Sequence, residues 1–288
     1  MNLGALIGLT IMVVSEAATL ARVEPFYSWN TPICWTGFIL FADSLVWRAR
    51  GRSWIRSSPI EFAFLTIASI LLWLVFEFYN LYIDNWHYGG LPENRFLRLF
   101  GYAWSFATIW PAIFEGADLM AIMRAGKAGG AGKAGQSQPS PPHPAYPAPP
   151  AHPAIWIAAG AAMLIVPFVV PAASAQYMAA PVWLGFIFLL EPINVALGEE
   201  SLFVRTRPRW DRMVNLAWSG VLCGVLWEFW NYWSRAKWLY TVPILEHVKI
   251  FEMPLPGYLG FPAFALECFT MYVFVRIAFT RDGRTVGV

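Results

Sequence analysis

The sequence predicts an all-α integral membrane protein with about eight transmembrane helices in two parallel four-helix repeats and both termini in the cytoplasm. Three observations support this prediction. The 288 residues are 58% hydrophobic and only 13% charged, so the chain has too little polar surface to cover itself in water. Apolar runs of about 18 or more residues recur along the chain. The two halves also repeat each other in sequence.

Eight apolar runs are long enough to cross the hydrocarbon core of a bilayer. They cover residues 3–21, 32–47, 60–83, 99–122, 154–173, 181–198, 213–233 and 257–279. The first run ends in SEAATLA, which resembles a signal-peptide cleavage site, but no basic segment precedes it. Whether the first span is cleaved stays open, and its removal would leave every loop on the same side.

Most of the 20 basic residues fall on one side of these spans. The positive-inside rule places that side in the cytoplasm, which predicts a cytoplasmic (inner) membrane location with both termini inside. We expect the lipid bilayer as a partner and no nucleic acid, and the oligomeric state stays open. The residues of the basic side are Arg48, Arg50, Arg52, Arg56, Arg124, Lys127, Lys133, Arg205, Arg207, Arg209, Arg212, Arg276, Arg281 and Arg284.

A stretch without bulky apolar clusters divides the chain. Residues 125–153 are almost wholly Gly, Ala, Pro, Ser and Gln, a composition typical of a flexible cytoplasmic linker. We therefore predict a first four-helix membrane repeat at residues 1–124 and a second at residues 154–288.

The halves carry similar segments in the same order. CWTGFILFADS in the first half aligns with VWLGFIFLLEP in the second, FEFYN aligns with WEFWN, and IWPAIFEG aligns loosely with GFPAFALEC. Because each half has four predicted spans, an even number, both copies enter the membrane in the same direction and form a parallel repeat. The aligned acids are Asp43 with Glu191, Glu77 with Glu228, and Glu115 with Glu267.

These six acids, together with Glu16 and Asp118, are predicted to lie at membrane depth or close to it, and no Lys or Arg is expected deep enough to pair with them. Arg276 comes closest. Even mild insertion scales charge about 2.5–3.5 kcal/mol for Asp at a helix centre, so the acids should be protonated, hydrogen-bonded, hydrated or facing a bound cation. The rival interpretation is interhelical hydrogen bonding without a functional site. The candidate catalytic acids are Glu77, Glu228, Glu115 and Glu267.

The outer ends of the third and seventh spans indicate where a ligand would bind. Glu77 and Asn80 are three residues apart on one helix face, as are Glu228 and Asn231. The outer loops that follow carry Trp, Tyr and His residues, which also suit an interfacial aromatic belt. The candidate substrate-binding residues are Asn80, Asn231, Asp43, Glu191, Trp86, His87, Trp238 and His247.

No HExxH, CxxC or carboxylate cluster with metal-ligand spacing occurs, so no metal site is predicted, and the cofactor is unknown. Three functions remain open. The first is a membrane enzyme that performs acid/base chemistry on a lipid or isoprenoid, the second a proton- or cation-coupled transporter or channel, and the third a non-catalytic scaffold. The 16 Trp, 22 Phe and 11 Tyr favour a large apolar ligand over a small ion.

One resemblance accompanies the enzyme hypothesis. An acid in an aromatic stretch, a following W.Y..P and a Pro-Leu element before the next span together resemble the small membrane domains of the heterodimeric lycopene cyclases. The second half matches better than the first. Those domains carry a Pro-Leu-Glu-Glu element, where this chain has EMPLPGYLGF and its next acid is Glu267. No catalytic role is therefore transferred from that family.

Overall fold

The computed structural model describes residues 2–129, 152–203 and 207–278, and helices account for 77% of it. Most of the predicted linker lies outside the described residues. So do three of the arginines on the basic side, Arg205, Arg281 and Arg284, and also Lys133.

A long helix covers each of the eight predicted apolar segments, and two short helices lie between them. The α-helices of the described residues are α1 (Leu3–Leu20), α2 (Phe26–Arg50), α3 (Trp54–Ser57), α4 (Pro59–Ile83), α5 (Arg95–Gly129), α6 (Pro153–Val169), α7 (Ala172–Ala175), α8 (Ala179–Ala196), α9 (Arg207–Trp233) and α10 (Gly260–Arg276). A 3₁₀ helix at Leu255–Leu259 precedes α10.

Six helical segments in the described part of the chain are long and apolar enough to cross a membrane, so the protein is an all-α, multi-pass membrane protein. They correspond to α1, α4, α5, α8, α9 and α10, the last together with its preceding 3₁₀ turn. α6 is apolar but has only 17 residues. α2 has 25 residues and carries Asp43 and two terminal arginines, Arg48 and Arg50.

Each half contains a helix pair held at close range by facing glycines. A Cβ on Gly8 of α1 would lie 2.5 Å from the Gly37 carbonyl oxygen of α2. In the second half, a Cβ on Gly160 of α6 would lie 2.8 Å from the Gly185 carbonyl oxygen and 2.3 Å from the Leu189 nitrogen of α8. Small residues permit such backbone approach in membranes, where van der Waals packing holds helices together.

The outer loops contain short strands, which the all-α prediction omitted. β1 (Trp86–Gly89) pairs antiparallel with β2 (Lys237–Tyr240), and β3 (Lys249–Ile250) pairs with β4 (Met253–Pro254). Backbone groups in these loops need hydrogen-bond partners. β1 and β2 provide them to each other across the two halves, whereas β3 and β4 pair within the loop of the second half. The β1–β2 ladder therefore joins the two halves at their outer ends.

The prediction that no arginine reaches the intramembrane acids was wrong for two of them. Arg50 lies 2.9 Å from Asp118, and Arg56 lies 3.6 Å from Asp43. The chain turns back after α2. Arg56 of α3 therefore lies beside Asp43 of α2, and Arg50 at the end of α2 lies beside Asp118 of α5. Arg276 pairs instead with Glu61 at the start of α4, at 2.8 Å.

The glycine contact yields a stability prediction. The Gly160→Ala substitution should destabilise the protein by about 1–3 kcal/mol, because the added methyl group would overlap the α8 backbone. Gly126→Ala is the control, since a Cβ at Gly126 meets nothing within 4 Å. Thermal unfolding in nanodiscs measures both variants, and equal melting temperatures would contradict the predicted contact.

Candidate functional site

Glu228 is fully buried in α9 and receives a hydrogen bond from an outer strand. The Tyr240 hydroxyl of β2 donates to Glu228 Oε1 at 3.0 Å. One turn further along α9, Asn231 fixes the same strand. Its Nδ2 donates to the Trp238 carbonyl at 2.8 Å, and its Oδ1 accepts from the Trp238 amide at 2.9 Å. The acid and the amide thus hold β2 against the end of the helix.

Glu77 occupies the aligned position on α4 and accepts hydrogen bonds from more side chains than Glu228 does. Its Oε1 accepts from Trp73 Nε1 at 2.8 Å, Trp86 Nε1 at 3.1 Å and the Tyr88 hydroxyl at 2.5 Å. Asn80 binds β1 as Asn231 binds β2, because its Nδ2 donates to the Trp86 carbonyl at 2.8 Å and its Oδ1 accepts the Trp86 amide. Both acid–amide pairs therefore anchor one strand each.

The two tyrosines of these pairs keep their protons at neutral pH. Burial raises the pKa of the Tyr240 hydroxyl well above its usual value, and the nearby Glu228 raises it further. Burial and the nearby Glu77 do the same for the Tyr88 hydroxyl. Each hydroxyl therefore stays protonated and serves as the hydrogen-bond donor to its glutamate.

A cavity of about 350 Å³ lies beside the Glu228 pair, bounded by both halves but mostly by the second. Its wall is apolar and rich in tryptophan, and the Tyr240 side chain forms part of it. The cavity reaches exposed residues at the outer end of the second half, at Tyr177, Ile244 and Leu259. The tryptophans in the wall are Trp35, Trp73, Trp86, Trp183, Trp227 and Trp238.

A second, smaller cavity of about 50 Å³ lies beside the Glu77 pair. Tyr88 forms part of its wall, as Tyr240 does in the larger cavity, and Trp227 and Trp238 contribute to both. Tyr102 packs against Tyr88, with ring centroids 5.0 Å apart. Neither Glu77 nor Glu228 is itself part of either wall, and the cavity beside Tyr88 is much smaller than the cavity beside Tyr240.

Comparison with protein-family models, with curated proteins and with solved structures found no match to this chain. The site has to be interpreted from its own geometry. Among the described residues, no group of three or more His, Cys, Asp or Glu side chains is arranged to hold a metal ion.

Two of the candidate binding residues, Asp43 and Glu191, secure inner loops. Asp43 Oδ1 accepts the backbone amide of Ile55 at 3.0 Å. Glu191 Oε2 accepts the amide of Leu202 at 2.7 Å and a hydrogen bond from the Ser201 hydroxyl. Neither acid is part of the wall of the larger cavity. Each acid thus accepts a backbone amide from the segment that follows its own helix.

Glu115 and Glu267, the other two candidate catalytic acids, are fully buried and lie outside the wall of the larger cavity. Glu115 lies beside Asp43 and Asp118. Glu267 Oε1 accepts the backbone amide of Phe186 at 3.3 Å. The structure therefore does not bring these two acids together with Glu77 and Glu228.

The two candidate loop histidines are exposed. His87 lies on β1, where neighbouring side chains alternate between the two faces, and it points away from Glu77's partners. His247 lies 3.2 Å from Glu246 with 91% of its side chain exposed. Neither belongs to the wall of either cavity, whereas the candidates Trp86 and Trp238 do.

Six site residues were not among the predicted candidates. The tyrosines that donate to Glu77 and Glu228 follow Trp86 and Trp238 by two positions in both loops, so alignment of the loops with a one-residue shift could have identified them. The alignment of the halves pairs Trp35 with Trp183, and Trp227 directly precedes Glu228. No sequence signal distinguishes Trp73 from the other tryptophans. The six residues are Tyr88, Tyr240, Trp35, Trp73, Trp183 and Trp227.

Asn231 should be necessary to hold β2. Asn231→Ala removes two hydrogen bonds to Trp238 and should cost about 1–3 kcal/mol, with faster amide hydrogen exchange at residues 237–240. Asn231→Asp keeps the acceptor for the Trp238 amide and loses the donor, so its exchange rate should be intermediate. Unchanged exchange in Asn231→Ala would show that the strand does not depend on this side chain.

Proposed function

We propose that this chain is an eight-span inner-membrane enzyme that performs acid/base chemistry on a lipid or isoprenoid, with Tyr240 and Glu228 as its proton-transfer pair. The observation that carries the proposal is the position of Tyr240, which borders a large apolar cavity and whose hydroxyl donates to a buried carboxyl group. Both termini are proposed to lie in the cytoplasm, and the two halves to be parallel repeats.

Pairing of the outer strands supports the count of eight. β1 and β2 form one ladder, so they lie on one side of the bilayer, and the chain between them must cross it an even number of times. That stretch contains α5, α6, α8 and α9, and α6 therefore has to cross as well. Its 17 residues extend about 25 Å, and a slightly thinned bilayer accommodates that length.

The same argument applies to α2. Glu24 lies 3.3 Å from Arg235, and the Arg235 amide donates to the Tyr27 carbonyl, so the turn between α1 and α2 lies on the side of the outer loops. From that turn to β1 the chain passes α2 and α4. Since α4 is a candidate span, α2 also has to cross.

Matching contacts support the parallel repeat. The Glu77–Tyr88 and Glu228–Tyr240 bonds correspond, and so do the paired glycines of α1–α2 and of α6–α8. The arginines on the opposite side from the strands favour a cytoplasmic location for that side.

Labelling with a membrane-impermeant maleimide tests this topology, because the three native cysteines are buried. In spheroplasts, the His87→Cys and His247→Cys variants should be labelled from outside, and Arg52→Cys only after permeabilisation. If α6 did not cross, the three spans α5, α8 and α9 would separate His87 from His247, and the two histidines would lie on opposite sides. Labelling of only one histidine position would therefore refute eight spans.

The proposed chemistry begins with an apolar chain entering from the outer leaflet. The exposed rim at Tyr177, Ile244 and Leu259 is apolar, which suits hydrocarbon better than water. The tryptophan wall then excludes water from the chain, so a proton transferred inside the cavity is not lost to solvent.

The proton would move through Tyr240. With a proton on Glu228, the hydrogen bond between the two groups reverses, so that Glu228 donates to the Tyr240 oxygen. Tyr240 then gives its own hydroxyl proton to a carbon–carbon double bond of the chain and takes the Glu228 proton in return. A C–H bond forms and the chain carries a positive charge until a neighbouring carbon loses a proton back through the same pair. The net result moves a double bond, so no oxidant or reductant is needed.

The transport alternative has less support from the helices. α5 and α8 continue without interruption through Pro111 and Pro192, so neither helix is unwound at the acids nearest to these prolines. Transporters more often bind their substrates at broken helices. The scaffold alternative fits Asp43 and Glu191, which hold inner loops, but leaves the large cavity without a role.

Deuterium incorporation tests the acid/base proposal. Lipids that co-purify with the protein are identified by mass spectrometry after incubation of the membranes in D₂O. The wild type should introduce carbon-bound deuterium, and Tyr240→Phe and Glu228→Gln should slow this by about 100-fold or more. Tyr232→Phe, at an exposed tyrosine on α9, is the control and should retain the wild-type rate.

Two outcomes would contradict the proposal. Full exchange in a Tyr240→Phe, Glu228→Gln double variant would exclude the pair from the chemistry. A bound lipid without exchange in the wild type would exclude acid/base catalysis, and proton-coupled uptake into vesicles would then favour the transporter.

A further inference from the structure

The carboxylate of the first half is connected to the cavity of the second half through two indole rings. Trp73 and Trp86 both border the larger cavity, and both donate their N–H groups to Glu77 Oε1, at 2.8 and 3.1 Å. Glu77 itself is not part of the cavity wall. Glu77 therefore contacts two residues of the wall without bordering the cavity itself.

Hydrogen bonding of this kind changes what the rings attract. The face of an aromatic ring carries negative electrostatic potential, and Trp binds cations best among the aromatic residues. Indole N–H groups can only donate, so the acceptor oxygen of Glu77 places negative charge at the edges of both rings. The rings become better partners for a positive charge inside the cavity.

The rest of the wall favours the same kind of ligand. Four further tryptophans, Trp35, Trp183, Trp227 and Trp238, border the cavity, which gives it the character of an aromatic cage. Among the described residues that form the wall, none is Lys or Arg, so no fixed positive charge there opposes a cation.

We propose that Glu77 makes the larger cavity selective for an apolar chain that carries a positive charge, whether a permanent ammonium group or a charge that develops during reaction. Glu77 is then a specificity-determining residue that the first half supplies to the site of the second half. This inference rests on the proposed function, because it assumes that an apolar chain occupies the cavity.

A pair of isosteric probes tests the inference. Dodecyltrimethylammonium and its neutral carbon counterpart, 2,2-dimethyltetradecane, differ in charge but hardly in shape. Binding to the protein in nanodiscs is followed by tryptophan fluorescence, with empty nanodiscs correcting for partition into lipid. The wild type should prefer the cation by roughly 2- to 30-fold, the range expected for cation–π contacts.

Glu77→Gln separates charge from structure, because glutamine keeps an acceptor oxygen for the two indoles. This variant should lose most of the preference for the cation while retaining its affinity for the neutral probe. Glu246→Gln removes an equal charge from an exposed position in the outer loop and should keep the wild-type ratio. An unchanged ratio in Glu77→Gln would overturn the inference.

The wild type alone also decides between the two proposals. Equal affinity for the two probes would overturn the inference about Glu77 and leave chain binding intact. Binding of neither probe would overturn both, because the cavity would then not accept an apolar chain.

Discussion

Burial of carboxyl groups in an apolar helical bundle is the constraint on which the loops of this protein depend. Each unsatisfied polar group in hydrocarbon costs several kcal/mol, so the acids need donors from nearby segments. Glu77 and Glu228 obtain them from the outer strands, and Glu191 obtains one from the Leu202 amide of an inner loop. Each acid thereby fixes a loop to the bundle. The aromatic residues of the outer loops are positioned by the same bonds.

The two halves use this arrangement in different ways. Alignment of FEFYN with WEFWN places Gly224 opposite Trp73, and a Cβ on Gly224 would lie 2.1 Å from the Phe261 ring. The close approach of α10 to α9 at this point has no room for a tryptophan. In the first half, Tyr102 packs against Tyr88 and leaves little space. The two halves thus carry the same kind of acid but differ in the space around it, because the larger cavity lies beside Tyr240, the partner of Glu228.

The β1–β2 ladder makes the halves interdependent. It sets Trp86 of the first half opposite Tyr240 of the second, so a side chain from each half contributes to one cavity wall. Glu77 reaches the same wall through Trp73 and Trp86. The wall of the larger cavity therefore depends on both halves of the chain.

The sequence alone determined where the helices lie, because hydrophobic length is a local property that needs no knowledge of neighbours. It also predicted that Glu77 and Glu228 correspond to each other, since the aligned segments carry the same acid–amide spacing. The donors to these acids were not predicted, because Tyr88 and Tyr240 reach them only after the outer loops fold back. The arginine partner of Asp43 was missed for the same reason.

Only the tertiary structure decided which candidates share a site. Glu115 and Glu267 have the same burial as Glu228, yet their surroundings separate them from the large cavity. The unequal size of the two cavities depends on how side chains from many separate segments fill the space between helices. That space is a property of packing in three dimensions, and no periodicity or spacing in the chain records it.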